Sequence, residues 1–227
     1  MQKTLILWDI DGTLLHSGGA GMKALEAALG HVFGVTGSLI GIEFAGRTDP
    51  WIIRQVFARF GIEPTPENFA RYIDGYVAAL PDILSQSQAR VLPGVRELVA
   101  QAASHPHVVQ GLLTGNLRRG AQTKLGFHGM WDTFPVGAFA DDSEVRNELG
   151  PHALRRAQKH WGLEFSGADT WIVGDTPHDI ACGKAFGART LAVATGASPL
   201  AALQAFSPDA VLGDLSDARA FWRAIGA

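Results

Sequence analysis

The sequence predicts an α/β fold: a parallel sheet with helices on both faces, interrupted early by a helical insertion. Three observations carry this. From residue 107 onward, short apolar runs alternate with helical stretches, the order a parallel sheet requires. Between residues 22 and 84 the apolar spacing is helical, with no strand alternation. At the start, residues 5–8 form an apolar run the size of a buried strand, and it ends in two carboxylates, Asp9 and Asp11.

The elements follow in order. After the first strand, the stretch Ser17-Gly18-Gly19-Ala20-Gly21 is too polar and flexible to pack and reads as a loop. Met22, Leu25, Ala28, Leu29 and Val32 then mark one helix face. Asp49-Pro50 is an N-cap and first-turn pair opening a second helix, which Gly61 stops. Thr65-Pro66 repeats the start signal for a third helix, expected to be disturbed at Pro81. Pro93-Gly94 punctuates the return to a short helix over 95–103 and a strand over 107–113. Helices are then expected over 118–125, 151–161, 177–186, 199–205 and at the C-terminal end of the sequence. They alternate with strands near 136–139, 170–173, 190–193 and 210–212.

Bulk properties exclude several classes. Apolar residues make up 47% of the 227 and charged residues 18%, which argues against disorder. A net charge of -3 offers no electrostatic pull toward nucleic acid or an anionic membrane. The one cysteine, Cys182, rules out an internal disulfide and a multi-cysteine zinc site, and fits a reducing compartment. Asp9 and Asp11 interrupt the first apolar run too early for a signal peptide, and no stretch approaches the roughly 18 apolar residues that span a bilayer. The expected location is the cytoplasm.

Residues at i and i+2 of a strand share a face, so Asp9 and Asp11 are presented together where the strand ends. Taken alone, they read equally well as an acidic turn. Two further strand ends are polar, however: Thr114-Gly115-Asn116, and Gly174-Asp175-Thr176-Pro177-His178-Asp179. Active residues in parallel sheets gather beyond the carboxyl ends of strands. If the three ends converge, Asp9, Asp11 and Asp175 form a carboxylate cluster with Asp179 one helical turn on. Two such charges about 4 Å apart repel by about 4 kcal/mol at an effective dielectric near 20, so the cluster requires a cation. All-oxygen ligation suits Mg²⁺ rather than zinc. The hydroxyl and backbone N–H groups of residues 114–116 suit phosphate oxygens, and the combination points to phosphoryl chemistry.

These residues resemble the motifs of the haloacid dehalogenase superfamily, in its phosphoglycolate-phosphatase-like subgroup with a helical cap. Asp9-Ile10-Asp11-Gly12-Thr13-Leu14 is similar to the first motif, Leu112-Leu113-Thr114-Gly115-Asn116 to the second, and the 174–179 stretch to the fourth. The resemblance implies a Rossmann-like core of residues 1–16 and 90–227, with a cap of residues 17–89 between the first two motifs. It implies Asp9 as nucleophile forming an aspartyl-phosphate and Asp11 as general acid and base. It further implies Mg²⁺ held by the Asp9 carboxylate, the Asp11 carbonyl and Asp175, with Asp179 close by, and a phosphoryl group bound by Thr114, Gly115 and Asn116. The partner it implies is a small phosphorylated metabolite.

The third motif departs from the pattern, because no Lys-Pro precedes the fourth. Lys124, Arg146, Arg155, Arg156 and Lys159 are the basic candidates. Lys124 is about ten residues beyond Thr114, a rise of roughly 15 Å if all helical, and 155–159 run along their own helix. Arg146 precedes that helix and is the choice for the phosphate-side cation, the plainer reading being a solvated loop arginine. Arg47, between cap helices, is a candidate substrate contact and equally an exposed loop residue. His16, His128 and His178 lack metal-ligand spacing, and Cys182, Trp8 and Trp171 read as packed residues.

Competing readings remain within the fold. Asp11 disfavours dehalogenation, and Lys23 is the one lysine between 22 and 84 that could serve a phosphonate hydrolase. A phosphomutase stays open, as does a phosphoryl-binding regulatory protein without turnover.

Overall fold

The computed structural model describes residues 3–226. Its centre is β1 (Thr4–Trp8), buried on both faces from Leu5 to Trp8, which is why the run is continuously apolar rather than alternating. The flanking segments fold into β4 (Val108–Leu113), β5 (Gly137–Ala138), β6 (Thr170–Gly174), β7 (Arg189–Val193) and β8 (Ala210–Leu212). The six strands are parallel in the order β5-β4-β1-β6-β7-β8. The chain steps outward from β1 to β4 and β5, then returns to the other side of β1 for β6. That reversal opens a crevice beyond the strand ends beside β1.

Strand alternation divides the core between two faces. Ile6, Trp8, Leu112 and Val173 meet α4 (Val95–Ser104), α5 (Arg118–Phe127) and α9 (Ala218–Ile225) through Leu98, Leu125 and Phe221. Trp8 stacks on Phe221 at 5.4 Å and donates its indole N–H to Gln110. Leu5, Leu7, Leu113 and Ile172 face the other way, toward α6 (Leu149–Trp161) and α7 (Pro177–Ala185) through Ala153, Ala157 and Cys182. The short α8 (Leu200–Ala205) adds Leu203 against Ile180 and Ala192.

The helical stretch expected after the first strand is α1 (Ala20–Phe33), α2 (Asp49–Phe60) and α3 (Pro66–Ser85). The three share a core of their own, including Leu29, Ile53, Phe57, Tyr72 and Leu80. Four local details differ from the sequence reading. The loop expected over 17–21 is shorter: Gly18 and Gly19 take left-handed backbone (φ 64° and 78°) and α1 begins at Ala20. The N-cap of α2 is Thr48, and Asp49 is the first helical residue. Helix α3 continues through Pro81 to Ser85. Finally, β2 (Leu15–His16) and β3 (Arg90–Val91) pair antiparallel and tie together the two chain crossings into and out of the helices. Two residues per strand carry no periodicity to read.

Candidate active site

The first strand end is shaped by a tight turn. The N–H groups of Leu14 and Leu15 bond to the Ile10 carbonyl, and Gly12 turns with φ 83°. Gly12 is required twice over, because a Cβ there would come within 2.4 Å of Asp175 Oδ2 as well as strain the backbone. Gly196 comes still closer to the same carboxylate, where a Cβ would be 1.7 Å from Oδ2. Thr195, beside it, donates its hydroxyl to the Gly12 carbonyl at 2.5 Å. The loop after β7 is thus a fourth contributor to the site, one that the strand-end pattern alone does not mark.

The two acidic strand ends, those of β1 and β6, converge. Asp9, Asp175 and Asp179 are all buried and offer carboxylate oxygens within 4.8 Å of one another. Burial pushes the Asp9 carboxyl well above the usual range; the Arg146 charge opposes this, while Asp179 and Asp11 add to it. Burial also drives Asp175 up, to about 9, with the Asp179 and Asp9 charges adding to the effect. Carboxylates crowded this way are short of positive charge. An all-oxygen donor set around that deficit fits a hard divalent cation.

Asp179 has two structural tasks. Its Oδ2 accepts from the Thr176 N–H at 3.0 Å and the Thr176 hydroxyl at 2.7 Å, completing a capping box with Pro177 in the first turn of α7. Its Oδ1 pairs with Arg146 Nη2, which also lies 3.2 Å from Asp9 Oδ1. Arg146, in a short 3-10 turn ahead of α6, is 8% exposed, so it is not a solvated loop arginine. Its carbonyl accepts from the Cys182 thiol at 3.1 Å, and its Nη1 donates to the Gly46 carbonyl at 3.3 Å.

The second strand end brings Thr114, Gly115 and Asn116 beside the cluster. The Thr114 hydroxyl works to lower the Asp9 carboxyl and accepts from Asn116 Nδ2 at 2.8 Å. Gly115 is pressed by the loop before α2: its carbonyl accepts the Asp49 N–H at 2.7 Å, and a Cβ would lie 2.2 Å from the Arg47 carbonyl. Asn116 Nδ2 also donates to Asp11 Oδ2 at 2.9 Å.

Lys124, set aside on distance in the sequence reading, is in the site. Its Nζ lies 2.6 Å from Asp11 Oδ2 and 2.6 Å from Asn116 Oδ1. The reason is geometric. Helix α5 begins only at Arg118, so Lys124 is about 9 Å of rise along it, and helical side chains lean back toward the N-terminus. Burial works to raise the Asp11 carboxyl, but the Lys124 charge and the hydrogen bonds from Lys124, Asn116 and Ser17 hold it below the usual range. Arg156 and Lys159 line a separate cavity of about 370 Å³ beside β5, whose wall has no acidic residue. Away from that wall, Arg156 forms a fork with Asp142.

Between the strand ends and helices α1–α3 lies a cleft of about 620 Å³. Asp9, Asp11, Asp175, Arg146 and Lys124 form its floor, with Leu25, Ile52 and Tyr76 on the opposite wall. Arg47 lines it too, held 2.6 Å from Glu43 and stacked over Trp51 at 4.3 Å. Asp49, which opens α2, accepts the Leu117 N–H at 2.7 Å instead of capping its own helix; burial raises its carboxyl to about 6, against the pull of Lys124. His178 touches Glu43 at 3.7 Å. Among the described residues no helix is long and apolar enough to cross a membrane.

Comparison with known proteins identifies the family. The family model described as haloacid dehalogenase-like hydrolase matches residues 6–184. Pyrophosphatase PpaX of Bacillus mycoides is 25% identical over 218 residues, covering 96% of this chain and 95% of that protein. A phosphoglycolate phosphatase of Rhodospirillum rubrum is 27% identical over 228 residues, covering 92% and 89% respectively. The crystal structure of CbbY from Rhodobacter sphaeroides in complex with phosphate superposes with a TM-score of 0.75 at 16% identity, covering 95% of this chain and 96% of that one; at such identity the likeness speaks for the fold. With the family match spanning all three strand-end motifs, the chain belongs to the haloacid dehalogenase-like hydrolases and is an enzyme of that family.

Proposed function

We propose that this enzyme is a Mg²⁺-dependent phosphatase of a small phosphorylated metabolite, phosphoglycolate-like or sugar-phosphate-like, working through an aspartyl-phosphate on Asp9. The observation that carries the reading is the buried trio Asp9, Asp175 and Asp179 with Arg146 against it, at the floor of a cleft. Relatives named as a pyrophosphatase and as phosphoglycolate phosphatases support the reaction class and leave the substrate open between them.

In this reading Asp9 attacks phosphorus, and the bond to the leaving alcohol oxygen breaks as Asp11 hands that oxygen a proton. Water then bonds to phosphorus while Asp11 takes its proton, and the Asp9–phosphorus bond breaks to return the carboxylate. Thr114 and the N–H groups of Gly115 and Asn116 hold the phosphoryl oxygens. Arg146 keeps Asp9 aimed and offsets the negative charge on that side. The Asp9 and Asp175 carboxylates and the Asp11 carbonyl would hold Mg²⁺, with Asp179 adjacent. When bound, the ion neutralises charge on the transferring phosphoryl group. Residues 17–89 serve as a cap whose cleft-facing side chains, Arg47 among them, select the substrate. The cytoplasm is the compartment that fits Cys182 as the one cysteine.

The test is phosphate release from a panel of phosphate esters with Mg²⁺ and with chelator. Mg²⁺-dependent turnover is expected, and Asp9→Asn should lower kcat by several orders of magnitude while leaving the unfolding transition cooperative. Silence across the panel would defeat the phosphatase reading, and near-normal turnover by Asp9→Asn would defeat the nucleophile.

A further inference from the structure

Asp11 is gripped from two directions. Its Oδ1 accepts from the Ser17 hydroxyl at 2.8 Å, on the chain leading into α1. Its Oδ2 accepts from Asn116 Nδ2 at 2.9 Å and Lys124 Nζ at 2.6 Å, both on the β4–α5 side of the sheet. The Asn116 amide closes a triangle, since its Oδ1 accepts a second Lys124 hydrogen bond at 2.6 Å while its Nδ2 also reaches Thr114 Oγ1. The Lys124 side chain is 6% exposed, against 35% for that of Asp11. It is roofed by the start of α1, where a Cβ on Gly21 would stand 3.7 Å from Nζ.

Burying an ammonium is unfavourable by several kcal/mol unless it is paired and fully hydrogen-bonded, and an apolar residue packs such a position at less cost. Stability therefore gives little reason for a lysine here. Its contact does: Lys124 spends both hydrogen bonds on Asp11 and on the amide that also grips Asp11.

We propose that Lys124 is a positioning residue for Asp11. From the sheet side, and in concert with Asn116, it holds the carboxylate in one rotamer facing the leaving-group side of the cleft. Ser17 supplies the third contact from the opposite side. The role is distinct from that of Arg146, which grips Asp9 and Asp179 and makes no contact with Asp11 of the kind Lys124 makes. The inference rests on the phosphatase reading, because the aim of Asp11 matters only if a proton must reach a departing oxygen.

The experiment compares two esters that differ in their need for that proton, a primary alkyl phosphate and p-nitrophenyl phosphate. The ratio kcat/KM reports the steps up to departure of the alcohol. An alkoxide leaves poorly without a proton, whereas nitrophenolate leaves unaided. With Lys124→Met we expect kcat/KM for the alkyl ester to fall by about 100-fold, carried by kcat, and for the nitrophenyl ester by less than about tenfold. Lys124→Arg should recover part of the alkyl-ester rate. If Lys124→Met does not fold, Lys124→Gln, which keeps a donor and much of the stem, is read in the same way. Equal losses for the two esters, or a loss carried by KM alone, would overturn the positioning role. Wild-type silence on both esters would instead defeat the function itself, so the two failures are told apart.

Discussion

Removing Arg146 tests whether the acidic cluster depends on a protein-borne cation. In Arg146→Met, Asp9, Asp175 and Asp179 remain buried while their shared counter-charge is gone. The 3.2 Å approach to Asp9 corresponds to a gross attraction of about 5 kcal/mol at an effective dielectric near 20, and the Asp179 contact is closer. Much of that is offset by the cost of having buried the guanidinium. The net loss on stranding the carboxylates is therefore about 3–5 kcal/mol. In a chain of this size that lowers Tm by about 6–20 °C. The assay is thermal and urea unfolding in chelator, so that no divalent ion takes the arginine's place. Arg146→Met/Asp179→Asn should be more stable than the sum of the two single losses predicts, because one stranded charge has been neutralised. A single-variant loss below about 1 kcal/mol, or strict additivity in the double variant, would refute the account.

Two further outcomes follow from other contacts. Gly115→Ala drives a Cβ to 2.2 Å from the Arg47 carbonyl, so the loop before α2 must lift and break the Asp49 N–H to Gly115 hydrogen bond. Faster hydrogen exchange at the Asp49 and Leu117 amides and a raised KM are expected, and unchanged exchange at both would count against the contact. Arg156→Met removes a fork on Asp142, whose carboxyl burial would raise but whose Arg156 and Phe139 hydrogen bonds hold it below its ordinary value. A depressed folded-state value means stability present above the unfolded value near 4 and lost as pH falls through the folded one. The variant should thus be less stable by about 1 kcal/mol at pH 7, a figure discounted for solvent screening, with the gap closing below about pH 4; urea midpoints at both pH values would show it.

Much of the fold was legible because its signals are local. An apolar run followed by Asp9 and Asp11 announces a strand end without any knowledge of its neighbours. Thr65-Pro66 and the glycine at 61 mark helix boundaries through capping chemistry confined to one turn. Alternation of apolar runs and helical stretches sufficed for a parallel sheet. Strand ends in such a sheet share an edge, so the acidic and hydroxyl residues could be grouped before any distance was known.

What needed the tertiary structure concerns groups whose partners are distant in sequence. Chain count puts Lys124 roughly 15 Å of helical rise beyond Thr114, yet its Nζ lies 2.6 Å from Asp11 because a helix start, a backward-leaning side chain and a long stem combine only in space. Asp49 reads as a cap of α2, but its carboxylate serves Leu117 on the opposite side of the cleft. Position along the chain singles out Arg146, but its burial and its two carboxylate partners depend on α7 packing against its turn. The sequence by itself determined the strand ends and the chemistry they carry, since hydrogen bonding and apolar spacing within a few residues encode both. Only the tertiary structure decided which cation faces which carboxylate, because charges pair through space and desolvation, and neither is written along the chain.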